Sequence, residues 1–70
     1  MNLPMAEQKI VDLLQRRRKW LVNPAIADEL GIMHNHCAKL LSFLKNKRLV
    51  RSRYAVRDGV QMRYKEYFLI

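Results

Sequence analysis

Cysteine, glycine, proline and acidic residues are all scarce in this 70-residue chain, and each shortage excludes a class of protein. The single cysteine, Cys37, excludes an internal disulfide and a Cys-rich zinc or iron–sulfur site within one chain. The two glycines form no Gly-rich phosphate loop, and the two serines, Ser42 and Ser52, have no base and orienting group beside them. We therefore expect neither an enzyme nor a cofactor.

Long apolar segments are also missing. No window reaches the ~18 apolar residues of a membrane span, and the first ten residues do not form the apolar stretch of a signal peptide. One free cysteine fits a reducing compartment. We expect a cytoplasmic protein without a membrane partner.

The length limits the chain to one domain. Seventy residues are less than half of ~150, a typical domain size, so we expect a single domain over residues 1–70 with a thin core. Half of the residues are apolar and 29% are charged, which is the composition of a folded protein.

Positive charge is what the chain has in excess. Fourteen Lys and Arg stand against six Asp and Glu, a net charge of +8. Residues 1–30 hold five basic and four acidic side chains, whereas residues 31–70 hold nine and two. A field of one sign on a small domain favours a polyanionic partner, and nucleic acid is the first candidate.

Three helices follow from the spacing of apolar residues. The first is expected from Pro4 to about Arg18, and the second from Pro24 to Leu30, with Asn23 as its N-cap and Gly31 as a left-handed C-cap. A third apolar stripe predicts a helix over about 33–46. The basic run at the end of the first helix has two open interpretations, capping of the helix dipole or a phosphate contact through Arg18.

The third helix has an outward face without acids. Opposite its leucines lie Asn35, Lys39, Ser42 and Asn46, with His36 on the flank, and no Asp or Glu occurs between Glu29 and Asp58. Such a face suits contact with phosphates.

An alternating pattern then predicts a hairpin around Asp58-Gly59. A two-residue turn there leaves both hairpin faces mixed, so a three-residue loop with Gly59 in the left-handed region is preferred. That register pairs Val56 with Val60 on one face of the hairpin and places Arg51, Arg53, Arg63 and Lys65 on the other. The apolar tail, Tyr67 to Ile70, is expected as the central strand of a sheet completed by residues 20–22. A dimer contact through an uncovered strand edge is the alternative.

The order helix, strand, helix, turn, helix, hairpin resembles that of the winged helix-turn-helix domain, an α+β fold with three helices and a small antiparallel sheet. The residues that carry this resemblance are Ile26 to Ile32, then Cys37, Leu41 and Leu44, then Leu49-Val50. Within that group the chain is most similar to the very short bacterial regulators of fimbrial operons, through its leucine run, its Leu-Val pair and a basic wing with one glycine. It departs from the pattern in Met33 and Arg48, which stand where Ser or Thr and Gly are usual. Arg48 therefore implies either another helix ending or a positive φ.

The resemblance implies a transcription regulator that binds double-stranded DNA, located at the nucleoid. Helix 33–46 would enter the major groove, and the wing, residues 51–65, would contact phosphates or the minor groove. The residues expected to contact DNA are His34, Asn35, His36, Lys39, Ser42, Arg53, Arg57, Arg63 and Arg18. A single domain of this size covers a small area of DNA, ~1,000 Å² or less. High specificity would therefore need a homodimer or a larger DNA-bound regulator as a further partner.

A metal site and a protein-interaction role are the alternatives to this function. His34 and His36 point about 200° apart on a helix, and His34 with Cys37 supplies only two ligands, so no metal site is expected. No small-molecule effector is expected either. A protein-interaction winged-helix adaptor that uses Phe43 and the C-terminal strand is the second function class.

Overall fold

The computed structural model describes residues 2–70, which form three helices and three strands. In chain order these are α1 (Met5–Arg17), β1 (Leu21–Val22), α2 (Asn23–Leu30), α3 (His34–Asn46), β2 (Val50–Arg57) and β3 (Val60–Leu69). This is the predicted α+β arrangement, and each helix boundary lies within one or two residues of its expected position.

The core is built from one face of each helix and the start of β2. Because each helix repeats every 3.6 residues, its apolar positions fall on a single side and pack together. The buried apolar side chains are Ile10, Leu13, Leu14, Ile26, Ala27, Cys37, Leu40, Leu41, Leu44 and Val50. Of the apolar stripe predicted for α3, Cys37, Leu40, Leu41 and Leu44 pack inward as expected. The prediction is wrong for Met33, which precedes the helix as its N-cap and is 75% exposed.

Both α2 and α3 end in a Schellman motif, in which backbone amides beyond the helix satisfy its last carbonyls. After α2, Ile32 N–H donates to the Ala27 carbonyl at 3.0 Å, with Gly31 at φ 68°. After α3, Leu49 N–H donates to the Leu44 carbonyl at 3.0 Å, with Arg48 at φ 61°. Of the two possibilities expected where Arg48 stands in place of the usual glycine, the structure shows the positive φ.

The sheet is antiparallel, with strand order β1-β3-β2. The central position of β3 confirms the prediction for the apolar C-terminal segment, since Tyr67 pairs with Leu21 on one side and with Ser52 on the other. Leu21, Tyr67 and Leu69 pack against the helical core. One face of the sheet is therefore covered by the helices.

The prediction of a three-residue hairpin loop is wrong. The structure has a two-residue turn at Asp58 and Gly59, with φ 54° and 77°, and pairs Arg57 with Val60 instead of Val56 with Val60. Positive φ at both central residues is the requirement of a type I′ turn, whose twist matches that of the strands. Asp tolerates this conformation and Gly adopts it without cost, so the conformational preferences of these two residues determine the length of the loop.

A bulge farther along the hairpin changes which residues lie on the same face of the sheet, so the predicted arrangement of the basic side chains is wrong. The pairing shifts between Tyr54 and Val56, so that Arg53 lies opposite Glu66 rather than opposite Arg63. This is a shift of three positions, and an odd shift moves a side chain to the other face. Lys65 therefore lies on the face opposite to Arg53, and the expected facing of like charges does not occur.

The left-handed backbone at Arg48 gives a test of helix termination. Arg48→Gly should raise the free energy of unfolding by about 0.5–1 kcal/mol, because glycine removes a left-handed penalty of roughly 1–2 kcal/mol and adds an unfolded-state entropy cost of about 0.5–1 kcal/mol. Urea denaturation monitored by circular dichroism measures the change.

The matched control is Asn46→Gly, within the last turn of α3, which should lower the stability by a similar amount. If both glycine variants are destabilised equally, the left-handed conformation at Arg48 carries no strain.

Candidate nucleic-acid interface

The outward face of α3 is fully available to a partner. Its side chains at Asn35, His36, Lys39, Ser42 and Asn46, here called the reading face, are all exposed. The buried stripe of the same helix fixes this orientation, since Cys37, Leu40, Leu41 and Leu44 occupy the core. The helix begins at His34, one residue later than expected, because Met33 has extended backbone angles and is the N-cap.

The first turn of α3 carries no side-chain cap. Met33 offers no hydrogen-bonding group, and the first turn contains no acidic residue. The unpaired amides at a helix N-terminus favour negative charge, and a phosphate is a common ligand there. This end of α3 is therefore compatible with an anionic partner.

His34 is the one predicted contact on α3 that already has an acidic partner. Its Nε2 lies 2.9 Å from Asp28 Oδ1, and both side chains are exposed. The pair joins the start of α3 to α2 across the turn at Gly31.

Asn23 fixes the position of α3, a role that the sequence did not reveal. Its Nδ2 donates to the His34 carbonyl at 3.0 Å, and the Cys37 thiol lies 4.0 Å from its backbone oxygen. The predicted N-cap role of Asn23 is wrong, because α2 begins at Asn23 itself, with Val22 as N-cap. The side-chain amide binds the neighbouring helix instead of its own.

A buried carboxylate holds two arginines of the wing. Glu66 has only 8% of its side chain exposed, with Arg53 Nε at 2.7 Å and Arg57 Nη2 at 3.8 Å. Sequence reasoning missed Glu66, although it is the only acidic residue within β3. The charge of these two arginines is therefore partly balanced in the free protein.

The wing approaches the start of α2. Arg57 and Tyr64 line one shallow hollow together with Val22 and Pro24. Asn23, between these two residues, also bonds the first residue of α3. Arg63 is exposed on β3, within the irregular stretch that lies opposite Ala55.

Arg53 and Arg18 lie away from the reading face. Val50 packs in the core, so the alternation along β2 directs Arg51 and Arg53 to the sheet face that the helices do not cover. The Arg53 guanidinium lies 3.9 Å from the centroid of the Trp20 ring. Arg18 follows the last residue of α1 and lines a hollow with Phe68 and Leu69.

Most of the positive charge has no acidic partner. Within residues 2–70, four of the fourteen Lys and Arg side chains form ion pairs with acidic ones, namely Arg17, Lys47, Arg53 and Arg57. The ten others include Lys39 on the reading face. Glu29 is occupied by Arg17, whose hydrogen bond holds the pKa of that carboxyl below its usual range. The acids are thus largely bound, which leaves a strongly positive surface.

No three His, Cys, Asp or Glu side chains come together as a possible metal site in the described chain. Cys37 is buried, and its desolvation raises the pKa of the thiol to about 11. The expectations of no metal and no effector remain predictions.

Solved structures of ZitR variants from Lactococcus lactis resemble this chain closely in fold. Two of them superpose with TM-scores of 0.83 and 0.84 at 26% sequence identity, covering 100% of this chain and 44% of that chain. ZitR is a winged-helix transcription regulator. The fold is the winged helix.

In this winged helix, α2 and α3 form the helix-turn-helix, and β2 with β3 forms the wing. A third ZitR structure, with a TM-score of 0.71 at 23% identity, shows the same fold. This chain spans less than half the length of ZitR. No protein-family model matches the sequence, and no curated protein matches it significantly. The resemblance to fimbrial-operon regulators therefore stays a prediction.

These structural neighbours are transcription regulators rather than enzymes. In the described part of the chain, no helix is long and apolar enough to cross a membrane.

The buried thiol allows a test of how firmly α3 is packed. Cys37 should resist alkylation by iodoacetamide at pH 8 in the folded protein and react fully in concentrated urea, because burial keeps it protonated and inaccessible. Mass spectrometry of the modified chain measures both states. Rapid modification of the folded protein would contradict the buried position.

The same pKa gives the stability a definite pH dependence. The pKa of the Cys37 thiol is 9.0 in the unfolded chain and about 11 in the folded protein. The stability contributed by Cys37 is therefore complete below pH 9 and is lost as pH rises toward 11. Urea denaturation across this range should show a smaller decline for Cys37→Ala than for the original chain. The partly buried Tyr67 side chain, whose hydroxyl pKa is also raised by desolvation, contributes in the same direction in both proteins.

Proposed function

We propose that this chain is a sequence-preferring transcription regulator that binds double-stranded DNA in the bacterial cytoplasm, at the nucleoid. The observation that carries the proposal is the exposed, acid-free reading face of α3 on a winged-helix fold. The net charge of +8 supports the same partner.

The reading face lies in the major groove in this proposal. Asn35 presents an amide that can bind N6 and N7 of adenine, and Lys39 presents an ammonium group for guanine O6 and N7. His36 and Ser42 flank them and reach neighbouring bases or phosphates. Asn23 supports these contacts indirectly, because it fixes the first residue of α3.

The wing contacts the backbone or the minor groove through Arg57 and Arg63. Half of the Arg57 side chain is exposed (53%), and its distance of 3.8 Å from Glu66 is longer than that of a direct hydrogen bond. A phosphate oxygen therefore has room to bind Arg57 while Glu66 keeps the guanidinium in place. Arg18 and Arg53 also remain predicted contacts with DNA, although they lie beside the uncovered face of the sheet.

His34 takes part through a phosphate. Its Nε2 is occupied by Asp28, which leaves Nδ1 for a phosphate oxygen beside the uncapped start of α3. In its protonated form, His34 offers a donor at both nitrogens.

A domain of this size provides a footprint near ~1,000 Å², so high specificity requires a second DNA-binding unit. A homodimer or a larger DNA-bound regulator would provide it.

The reading face is tested by two substitutions with different expected effects. Lys39→Ala should weaken binding to all duplexes about three- to tenfold and lower the salt slope by about one, whereas Asn35→Ala should relax the base preference at one position. Fluorescence anisotropy with labelled duplexes, preceded by selection of the preferred sequence, measures both effects.

Lys9→Ala is the matched control, since Lys9 is an exposed lysine of α1 without an ionic partner. It should cost much less affinity than Lys39→Ala. Equal losses from both variants would mean that only the net charge matters and that α3 has no special role.

The alternative function is a protein-interaction adaptor. Phe43 is 50% exposed on α3 and Ile70 is 72% exposed at the end of the tail, and both are apolar surfaces that a protein partner covers readily. Salt distinguishes the two functions, because binding to several phosphates weakens steeply between low and physiological salt while an apolar contact hardly changes.

A further inference from the structure

The uncovered face of the sheet combines aromatic rings with positive charge. Alternation along the strands places Phe68 and Arg51, which lie opposite one another in the register, on the face turned away from the helices. Trp20, just before β1, lies on the same side, with its ring 5.8 Å from that of Phe68. We call Trp20, Arg51, Arg53 and Phe68 the outer sheet face.

The arginines of this face stack on the tryptophan. The Arg53 and Arg51 guanidinium carbons lie 3.9 Å and 5.2 Å from the Trp20 ring centroid, within the range of a cation–π contact. The stacking leaves the charges in solvent, since Arg51 and Arg53 are both exposed. The result is a layer of flat, cationic groups on top of aromatic rings.

The positive charge continues beyond the strands. Arg18 lines a hollow with Phe68, and Lys19 is the exposed neighbour of Trp20 in the chain. Glu66 lies on this face and is buried and paired with Arg53. Arg51 and Arg53 therefore lie over Trp20 and Arg18 lies beside Phe68, with the Glu66 carboxylate buried beneath them.

We propose that the outer sheet face is a second binding site, which takes single-stranded nucleic acid. Phosphates of the strand bind Arg18, Lys19 and Arg51, while bases stack on Phe68 and on the guanidinium planes above Trp20. This chemistry fits a single strand rather than a duplex, because bases must be unstacked to lie against flat side chains, whereas a duplex offers only its phosphates to an open sheet.

This site lies on the other side of the domain from the reading face of α3. The helical core lies between α3 and the outer sheet face, so the two surfaces point in different directions. The second site therefore does not depend on α3 binding DNA.

Trp20 is the only tryptophan of the chain and is a direct probe of the site. Titration with oligothymidylate of about ten nucleotides, a length within the range that single-strand sites cover, should quench its emission, because bases stack beside the ring. Oligouridylate of the same length shows whether the sugar affects binding. Unchanged emission at saturating concentrations of both strands would overturn the proposal.

The variants separate this site from the duplex site. Arg51 has no ion pair within residues 2–70, so Arg51→Gln should leave the fold intact, as circular dichroism would check. It should weaken oligothymidylate binding about three- to fivefold, and Arg51→Gln combined with Lys19→Gln should weaken it further. Both should leave duplex binding nearly unchanged, whereas Lys39→Ala should show the reverse pattern.

Two competitors decide between specific binding and simple attraction of anions. Polyglutamate and a duplex of the same length should displace oligothymidylate at least about tenfold less effectively than unlabelled oligothymidylate does, because neither offers free bases. Equal displacement by either one would overturn the single-strand site. Loss of oligothymidylate binding in Lys39→Ala with no loss in Arg51→Gln would also overturn it, and would assign the strand to α3.

Discussion

Burial of the α3 stripe determines the geometry on which the rest of this molecule depends. In a chain of 70 residues each helix can bury only one side, and α3 buries Cys37, Leu40, Leu41 and Leu44. The opposite side is then outside, whatever residues it carries. Because it carries amides, a lysine and no acid, packing of the core directly produces a surface suited to an anionic partner.

The acidic residues contribute as much to this surface as the basic ones. Glu7 is buried at the start of α1 and accepts a hydrogen bond from Lys47 at 2.7 Å, which joins α1 to the end of α3. Glu66 is buried beneath Arg53, and Glu29 pairs with Arg17. These carboxylates hold elements together instead of facing the reading face, so the field near α3 stays positive.

The two proposed sites use one sheet and one helical layer in different ways. The helices cover one side of the sheet and present α3 outward, and the second side of the sheet stays open with Trp20 and Phe68 upon it. Aromatic side chains on an open sheet face are normally covered or stacked to limit their contact with water. Here the guanidinium groups of Arg51 and Arg53 do this, and they make the same face cationic.

The helices, the order of the elements, the central place of the C-terminal strand and the acid-free side of α3 were all predictable from the sequence. Each follows from local periodicity, from turn residues such as Gly31, or from a strand apolar on both sides, and these signals are complete within a short window. The hairpin register, the partner of Asn23 and the position of Arg53 were not predictable in this way. They depend on a bulge near Ala55 and on contacts between residues more than ten positions apart, such as Arg53 with Glu66 and Asn23 with His34. The sequence by itself determined which side of each helix is apolar, while only tertiary packing decided which strand residues lie beside Trp20 on the open face of the sheet, because an odd shift in strand pairing exchanges the two faces of a sheet.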